Sequence, residues 1–312
     1  MTNLPKNDAK FPVKMPDILA SKRLVSTDRE ALEMFKDDNY HDSIFITKYT
    51  DNSPNELYYF KVPKTGKNSA QYSEYNNEVE PMASKNPLVK VDKKIMGRFP
   101  YNAIGLISTG SGSGSGFLIA PSCAASAAHV FFNSEKSEWA SGNYVFAPGA
   151  SDDLEENRPY ELKIYSVTIS DMYYSQKNEA QYRDYDYSLI ELNNNVGAVV
   201  GYFDYSVATK SLNGVKARVT GYPDPRRMKT PGHYVQYTST GPIKSVHAFW
   251  MYYDLTTEDG MSGGPVYIES DDNMVVGVNG MLHKDPVTGE VIDYAGIGIT
   301  QEMYDTFQTF DY

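Results

Sequence analysis

The chain has 312 residues, 41% of them apolar and 22% charged, and its 29 Lys and Arg against 40 Asp and Glu leave a net charge of −11. That acidity runs against nucleic-acid binding, whose affinity rests on basic side chains neutralising phosphates, and against a polybasic membrane surface. A single cysteine, Cys123, excludes an intrachain disulfide and a thiolate zinc cluster, so the fold has to rest on buried apolar surface.

In chain order, the first eight residues, Met1 to Asp8, hold no apolar h-region, so no secretory leader is legible in this form of the chain. A cytosolic protein and one whose leader is missing or unconventional both stay open. The composition is polar up to Leu88. Thr27 and Glu30 stand at capping-box spacing ahead of Ala31, Leu32, Met34 and Phe35, which predicts a helix start. Strand-like runs follow at residues 43–46 and 57–62, then a polar tract and a connector between Pro81 and Pro87. Residues 1–88 are therefore expected to form a small α+β extension, either a pro-segment removed on activation or a permanent accessory layer.

Beyond Leu88 the pattern changes to short apolar runs rich in β-branched and aromatic residues, at 103–107, 116–119, 160–169, 187–192, 215–221 and 275–278. Gly, Pro, Asn and Asp separate them, which predicts an all-β barrel or sandwich of antiparallel strands. The alternating Gly and Ser of residues 110–116 read as a flexible surface loop; GxGxxG spacing and a following helix, which a phosphate loop needs, are both missing. The most apolar stretch, residues 116–132, is broken by Pro121, Ser122 and Ser126 and falls short of the roughly 18 residues of a membrane span, so a buried segment is expected. One helix is predicted at the end, over residues 301–309, with Met303, Tyr304 and Phe307 on one face.

Three segments carry reactive side chains at the edge of apolar structure. His129 follows Ser126, Ala127 and Ala128, small residues that let the chain pack closely behind the imidazole. Asp184 and Asp186 lead into the run Tyr187, Ser188, Leu189, Ile190. Ser262 lies among Gly260, Gly263 and Gly264, just before Pro265 and Val266. Glycine permits positive φ, so the N–H groups of Gly260 and Ser262 can converge beside the serine oxygen, as an oxyanion requires. Each segment alone has an ordinary structural explanation: a satisfied histidine, an acid ending a turn, a tight turn. Gly260, Ser262 and Gly264 also fit the GxSxG elbow of α/β-hydrolases, but that fold needs its histidine well after the serine, and His283 is only about twenty residues on.

Taken together, these segments resemble the chymotrypsin-fold serine proteases, in particular the disulfide-poor glutamyl endopeptidases. The resemblance runs from about Val89 to Phe310 and is carried by Phe99, Pro100, Tyr101, Ala103 and Ile104; by Gly114 to Ile119; by Ala127, Ala128 and His129; by Asp186 to Ile190; by Val219 to Pro223; by Tyr253 to Thr257; and by Gly260 to Val266, in that order. It implies two packed six-stranded antiparallel β-barrels, the first at about 89–200 and the second at about 201–300, with the C-terminal helix after them. It also implies a serine endopeptidase, with Ser262 as nucleophile, His129 as general base and acid, Asp186 orienting the imidazole, and the amides of Gly260 and Ser262 as the oxyanion hole. Asp186 is preferred to Asp184 because it directly precedes the apolar strand, which leaves Asp184 for a solvated turn.

The resemblance further implies polypeptide substrates, no metal or organic cofactor, and an exported enzyme. In its relatives a Ser or Thr just before the nucleophile and a histidine on the following strand contact an acidic substrate side chain. Thr257 matches the first, but Asn279 stands where the histidine is expected, and His283 could substitute only if the strand bends. A preference for Glu before the scissile bond follows as an expectation, weakened by Glu258 and Asp259 beside the nucleophile. A catalytically silent homologue used as a binding module is the alternative. The substrate, activation trigger and oligomeric state are not legible.

Overall fold

The structure is a computed structural model, and it describes residues 39–51, 57–64, 86–152, 160–175, 182–228, 233–284 and 291–310. The helix start expected at Thr27 lies outside these residues. In chain order the strands are β1 (Tyr40–Tyr49), β2 (Leu57–Pro63), β3 (Val89–Lys90), β4 (Ile104–Ser108), β5 (Ser113–Ala120), β6 (Cys123–Ser126), the short pair β7 (Phe132–Asn133) and β8 (Glu138–Trp139), β9 (Val145–Pro148), β10 (Leu162–Ser170) and β11 (Ser188–Leu192). They continue with β12 (Lys216–Gly221), β13 (Tyr237–His247), β14 (Trp250–Tyr253), β15 (Pro265–Ile268), β16 (Met274–Lys284) and β17 (Val291–Gly298). Four helices are described: α1 (Lys93–Met96), α2 (Asp171–Ser175), α3 (Gly197–Val200) and α4 (Gln301–Gln308).

Strands β11, β6, β5, β4, β9 and β10 pair antiparallel in that order, and β10 returns to β11. Strands β12, β15, β16, β17, β14 and β13 do the same, with β13 returning to β12. These are the two closed six-stranded barrels of the chymotrypsin-like fold, and closure removes the unpaired edges that open sheets leave exposed. Phe117, Phe146 and Ile190 fill the first interior; Val219, Met251 and Val266 fill the second. Each such side chain contributes about 1.5–3 kcal/mol by leaving water.

Only the first part of the Gly/Ser tract, residues 110–112, is the exposed surface loop its composition suggests. Residues 113–120 are strand β5, and from Gly114 to Ala120 it is buried throughout. The physical reason is close approach: a Cβ on Gly114 would run into the Val130 side chain at 2.6 Å. Glycine here makes room for the turn that carries His129.

The two strand-like runs of the N-terminal extension are β1 and β2, and they join the first barrel's sheet. β1 pairs with β10 from Phe45 opposite Ser170 to Tyr49 opposite Ser166, with a buried 2.6 Å hydrogen bond between the Thr47 and Thr168 hydroxyls. Phe45 and Phe60 stack at 5.6 Å within the first barrel's hydrophobic core, where Val62 is fully buried. The hairpin also meets the C-terminal helix α4, whose N-cap Thr300 accepts from the Met303 N–H. His41 Nε2 lies 2.9 Å from Asp305 Oδ2, and Ser43 donates to Glu302 at 2.9 Å. Strand β3 pairs with β13 and so belongs to the second barrel's sheet rather than the first. Cys123 is buried, as expected of a small apolar residue. Among the described residues no helix is long and apolar enough to cross a membrane.

Candidate active site

The antiparallel register of β6 and β11 sets Ser126 opposite Ser188, so extending both chains by two or three residues brings the turn after β6 against the lead-in to β11. That turn is a single 3-10 turn, Ala128–Val130, packed closely because Ala124, Ala125, Ala127 and Ala128 are all fully buried. Ser188 Oγ donates to Ala127 O at 3.2 Å and fastens the two segments. Here the backbone N–H of His129 donates to Asp186 Oδ1 at 2.9 Å, and ring Nδ1 lies 2.7 Å from Asp186 Oδ2. Asp186 is buried, and both of its oxygens bond to a single residue. An acceptor at Nδ1 fixes the proton there in the neutral ring and leaves Nε2 with a free lone pair. Burial pushes the imidazole pKa down, but the charge of Asp186 and its hydrogen bond outweigh that, and the net shift from 6.5 is upward.

Asp184 does not sit in a solvated turn. It is half-buried in the 3-10 turn Tyr182–Tyr185 and accepts from the Trp250 indole N–H, on β14 of the other barrel, at 2.6 Å. Burial raises its pKa and the indole bond partly offsets that. Its work is to tie the barrels together.

Ser262 stands where the chain enters β15, with no helix behind it, so the α/β-hydrolase elbow does not describe it. Gly260 and Gly263 have φ of +94° and +85°, conformations that side-chain-bearing residues rarely adopt. Ser115, on β5 of the first barrel, binds this loop: its Oγ donates to Gly260 O at 2.9 Å and accepts from Tyr222 N–H at 2.8 Å, and its N–H donates to Ser262 O at 2.8 Å. The carbonyls of Gly260 and Ser262 are thereby turned toward the first barrel. Asp224 N–H holds the Asp259 carbonyl at 2.6 Å. Among the described residues the N–H groups of Gly260 and Ser262 have no acceptor. Nothing in the sequence marks Ser115 beyond its place in the glycine tract.

His129, Asp186, Ser262, Thr257, Asn279 and Gly280 line one cleft of about 550 Å³. Thr257 is buried. Asn279, on β16, accepts from the Tyr253 hydroxyl at 2.5 Å and donates to Met261 O at 2.9 Å, while its backbone exchanges bonds with Gly263 and Gly264. It therefore braces the Ser262 loop as well as lining the cleft. His283 lies four residues further along β16, opposite Asp293; its side chain is outside the described part of the structure. Glu135, Glu258, Asp259 and Arg183 complete the charged lining of the cleft. Asp259 pairs with Arg227 at 3.2 Å, and Arg183 lies over the Tyr182 ring. Tyr253 stands in a motif of the resemblance but without a role assigned to it, and Arg183 carried no motif that the sequence could flag.

The model for the trypsin-like peptidase domain matches residues 114–278, more than half of the chain, and the chain belongs to that family. A glutamyl endopeptidase from Bacillus licheniformis is 32% identical over 209 residues, 66% of this chain and 62% of the relative. An extracellular metalloprotease, so named, from Bacillus subtilis is 32% identical over 178 residues, 54% of this chain and 52% of the relative. The matches thus span less than two thirds of either relative's length. Among solved structures, a Glu endopeptidase superposes with a TM-score of 0.62 at 23% identity, covering 73% of this chain and 97% of that one. The protease Anisep from Arthrobacter nicotinovorans gives 0.52 at 18%, covering 66% and 95%. Both bear on the fold.

Proposed function

We propose that this protein is a serine endopeptidase that cleaves polypeptides through an acyl-enzyme. The observation that carries the reading is the pairing of His129 with Asp186 in the cleft that Ser262 also lines, beside two amides without acceptors. His129 Nε2 takes the proton of the Ser262 hydroxyl as its oxygen attacks a peptide carbonyl, and Asp186 stabilises the imidazolium that results. The carbonyl oxygen gains charge and is met by the N–H groups of Gly260 and Ser262; one such donor is typically worth about 10²–10³ in kcat. The imidazolium then protonates the leaving amine, and water repeats the sequence to release the acid. These steps draw on side chains and amides alone, without a metal or organic cofactor.

A preference for Glu before the cut is supported by the name of the Bacillus licheniformis relative, a glutamyl endopeptidase, and by the hydroxyl of Thr257. Asn279 supplies hydrogen-bonding groups and no charge, so the pocket recognises the shape of the side chain more than its charge. Glu and Gln peptides are expected to be cut at rates within about tenfold of each other, because a neutral hydrogen bond is worth only about 0.5–1.5 kcal/mol. Digestion of a proteome-derived peptide library, with Ser262→Ala as control, tests both parts. Cleavage absent from the control supports the hydrolase; no enrichment of Glu or Gln before the cuts removes the preference.

The burial of the β1–β2 hairpin in the first barrel favours an accessory layer over a discarded pro-segment for that part of residues 1–88. N-terminal sequencing of active protein decides it. The name of the Bacillus subtilis relative favours an extracellular site of action.

A further inference from the structure

The segment just before β3 ends the extension that the sequence left open between a pro-segment and an accessory layer, and it is bonded to the residues directly ahead of Thr257. Asn86 Nδ2 donates to the Asp254 carbonyl at 2.8 Å and to its carboxylate at 3.1 Å. The Asn86 carbonyl in turn accepts from Thr256 Oγ1 at 2.5 Å and from Ser239 Oγ at 3.4 Å, and Ser239 Oγ takes the Thr256 N–H at 3.0 Å. One residue therefore links β13 to residues 254–256, directly ahead of Thr257 in the cleft. The sequence leaves room for it: Gly241 stands where a Cβ would meet the Asn86 amide nitrogen at 2.6 Å. Beyond Asn86 the chain is held in place by β3, where Val89 and Lys90 pair with Thr238 and Tyr237, and by the bond from Val91 N–H to Gln236 O at 2.9 Å.

We propose that Asn86 is a positioning residue for substrate: it fixes residues 254–257 so that the Thr257 wall of the pocket is already built when peptide arrives. The inference rests on the endopeptidase reading and deepens it. It places the end of the peptidase unit before Asn86, because a chain beginning at Val89 would lose the residue that braces its own specificity wall. Asn86 touches neither the reacting atoms nor the oxyanion amides, so its loss acts on binding of the peptide and not on the acyl-transfer step.

The test uses Asn86→Ala, Asn86→Asp, Asp254→Asn and the Asn86→Asp/Asp254→Asn pair in the full chain. Readouts are kcat and KM on a Glu p-nitroanilide peptide, labelling of Ser262 by a small fluorophosphonate, and thermal midpoint. Asn86→Ala is expected to raise KM about tenfold, the order of one lost buried hydrogen-bond partner, with kcat and labelling within about twofold of the parent. Asn86→Asp sets a carboxylate against both the carbonyl and the carboxylate of Asp254 and is expected to be worse. Asp254→Asn relieves the second clash but leaves the carbonyl without its donor, so the pair is expected to recover only part of the KM. It is the rise in KM at unchanged kcat and labelling that a merely structural role would not give. A KM of Asn86→Ala within twofold of the parent, a fall in kcat and labelling at unchanged KM, or a pair no better than Asn86→Asp alone overturns the proposal. Binding of the peptide Ala-Ala-Pro-Glu amide to Ser262→Ala, with and without Asn86→Ala, gives a readout free of catalysis. It is expected to weaken about tenfold, and a change within twofold counts against Asn86. Absence of labelling in the unsubstituted protein sinks the endopeptidase reading instead, whatever the Asn86 variants do.

Discussion

Both oxygens of Asp186 are spent on one partner, the backbone and ring nitrogens of His129. Asp186→Asn keeps the shape but puts an N–H where Nδ1–H needs an acceptor, which favours the wrong tautomer. A loss of about 10⁴ in kcat is expected, by the serine-protease precedent for this substitution, measured on any cleaved peptide. The same pair sets the pH profile. The acid limb of kcat/KM is expected above 6.5, because Asp186 holds the imidazole protonated against its burial; Asp186→Asn, with only burial left, moves the limb down. Stability runs the other way. A folded pKa above the unfolded one stabilises below about pH 6.5, by the reference value for histidine, and that increment fades as pH rises through the folded pKa. Thermal midpoints of parent and Asp186→Asn should therefore differ more at low pH than at high. Serine, histidine and aspartate were legible as candidates because each stands at the edge of an apolar run, the serine among glycines. The role of the Asp184 carboxylate as an acceptor was not legible, since its donor Trp250 lies 66 residues away on the other barrel.

At the scale of elements, β5 does more than close the first barrel. Through Ser115 it reaches across to the Ser262 loop, and Ser115→Ala would leave the buried Tyr222 N–H without its acceptor and free the Gly260 carbonyl to turn. A kcat lower by about tenfold or more is expected, with KM little changed, since a lost buried partner costs about 1–3 kcal/mol. Steady-state kinetics on one peptide checks it. The hairpin β1–β2 is the other element whose role exceeds its appearance. Phe45 is packed against Phe60 and Tyr187, the residue after Asp186, and Phe45→Ala is expected to cost about 3–5 kcal/mol in denaturant unfolding. A loss under 1 kcal/mol would mark the hairpin as loosely attached. Its two strands were legible from their apolar runs, and so were six of the twelve barrel strands, β4, β5, β10, β11, β12 and β16. The second half of the Gly/Ser tract misled because glycine shows no apolar period, and only its neighbours Val130 and the Ser262 loop explain why residues 113–116 are part of strand β5.

Over the whole molecule, the fold brings together residues 129, 186 and 262, which the chain separates by 57 positions between the first two. Closure of two barrels explains how: the imidazole and carboxylate come from adjoining segments of the first, the alcohol from a loop of the second that β5 grips. Strand spacing made an antiparallel barrel or sandwich legible and the family resemblance supplied the two barrels; the cross-barrel contacts through Ser115 and Trp250 and the bonds of Asn86 to residues 254–256 were not legible, because hydrogen bonds between distant loops leave no local pattern. The central claim is that these parts make Ser262 a nucleophile. Mass spectrometry of the protein after treatment with a fluorophosphonate tests it most directly. One adduct on the peptide containing Ser262, lost in Ser262→Ala and strongly slowed in His129→Ala, is the expected result; no adduct on the parent, or one that persists in Ser262→Ala, would contradict it.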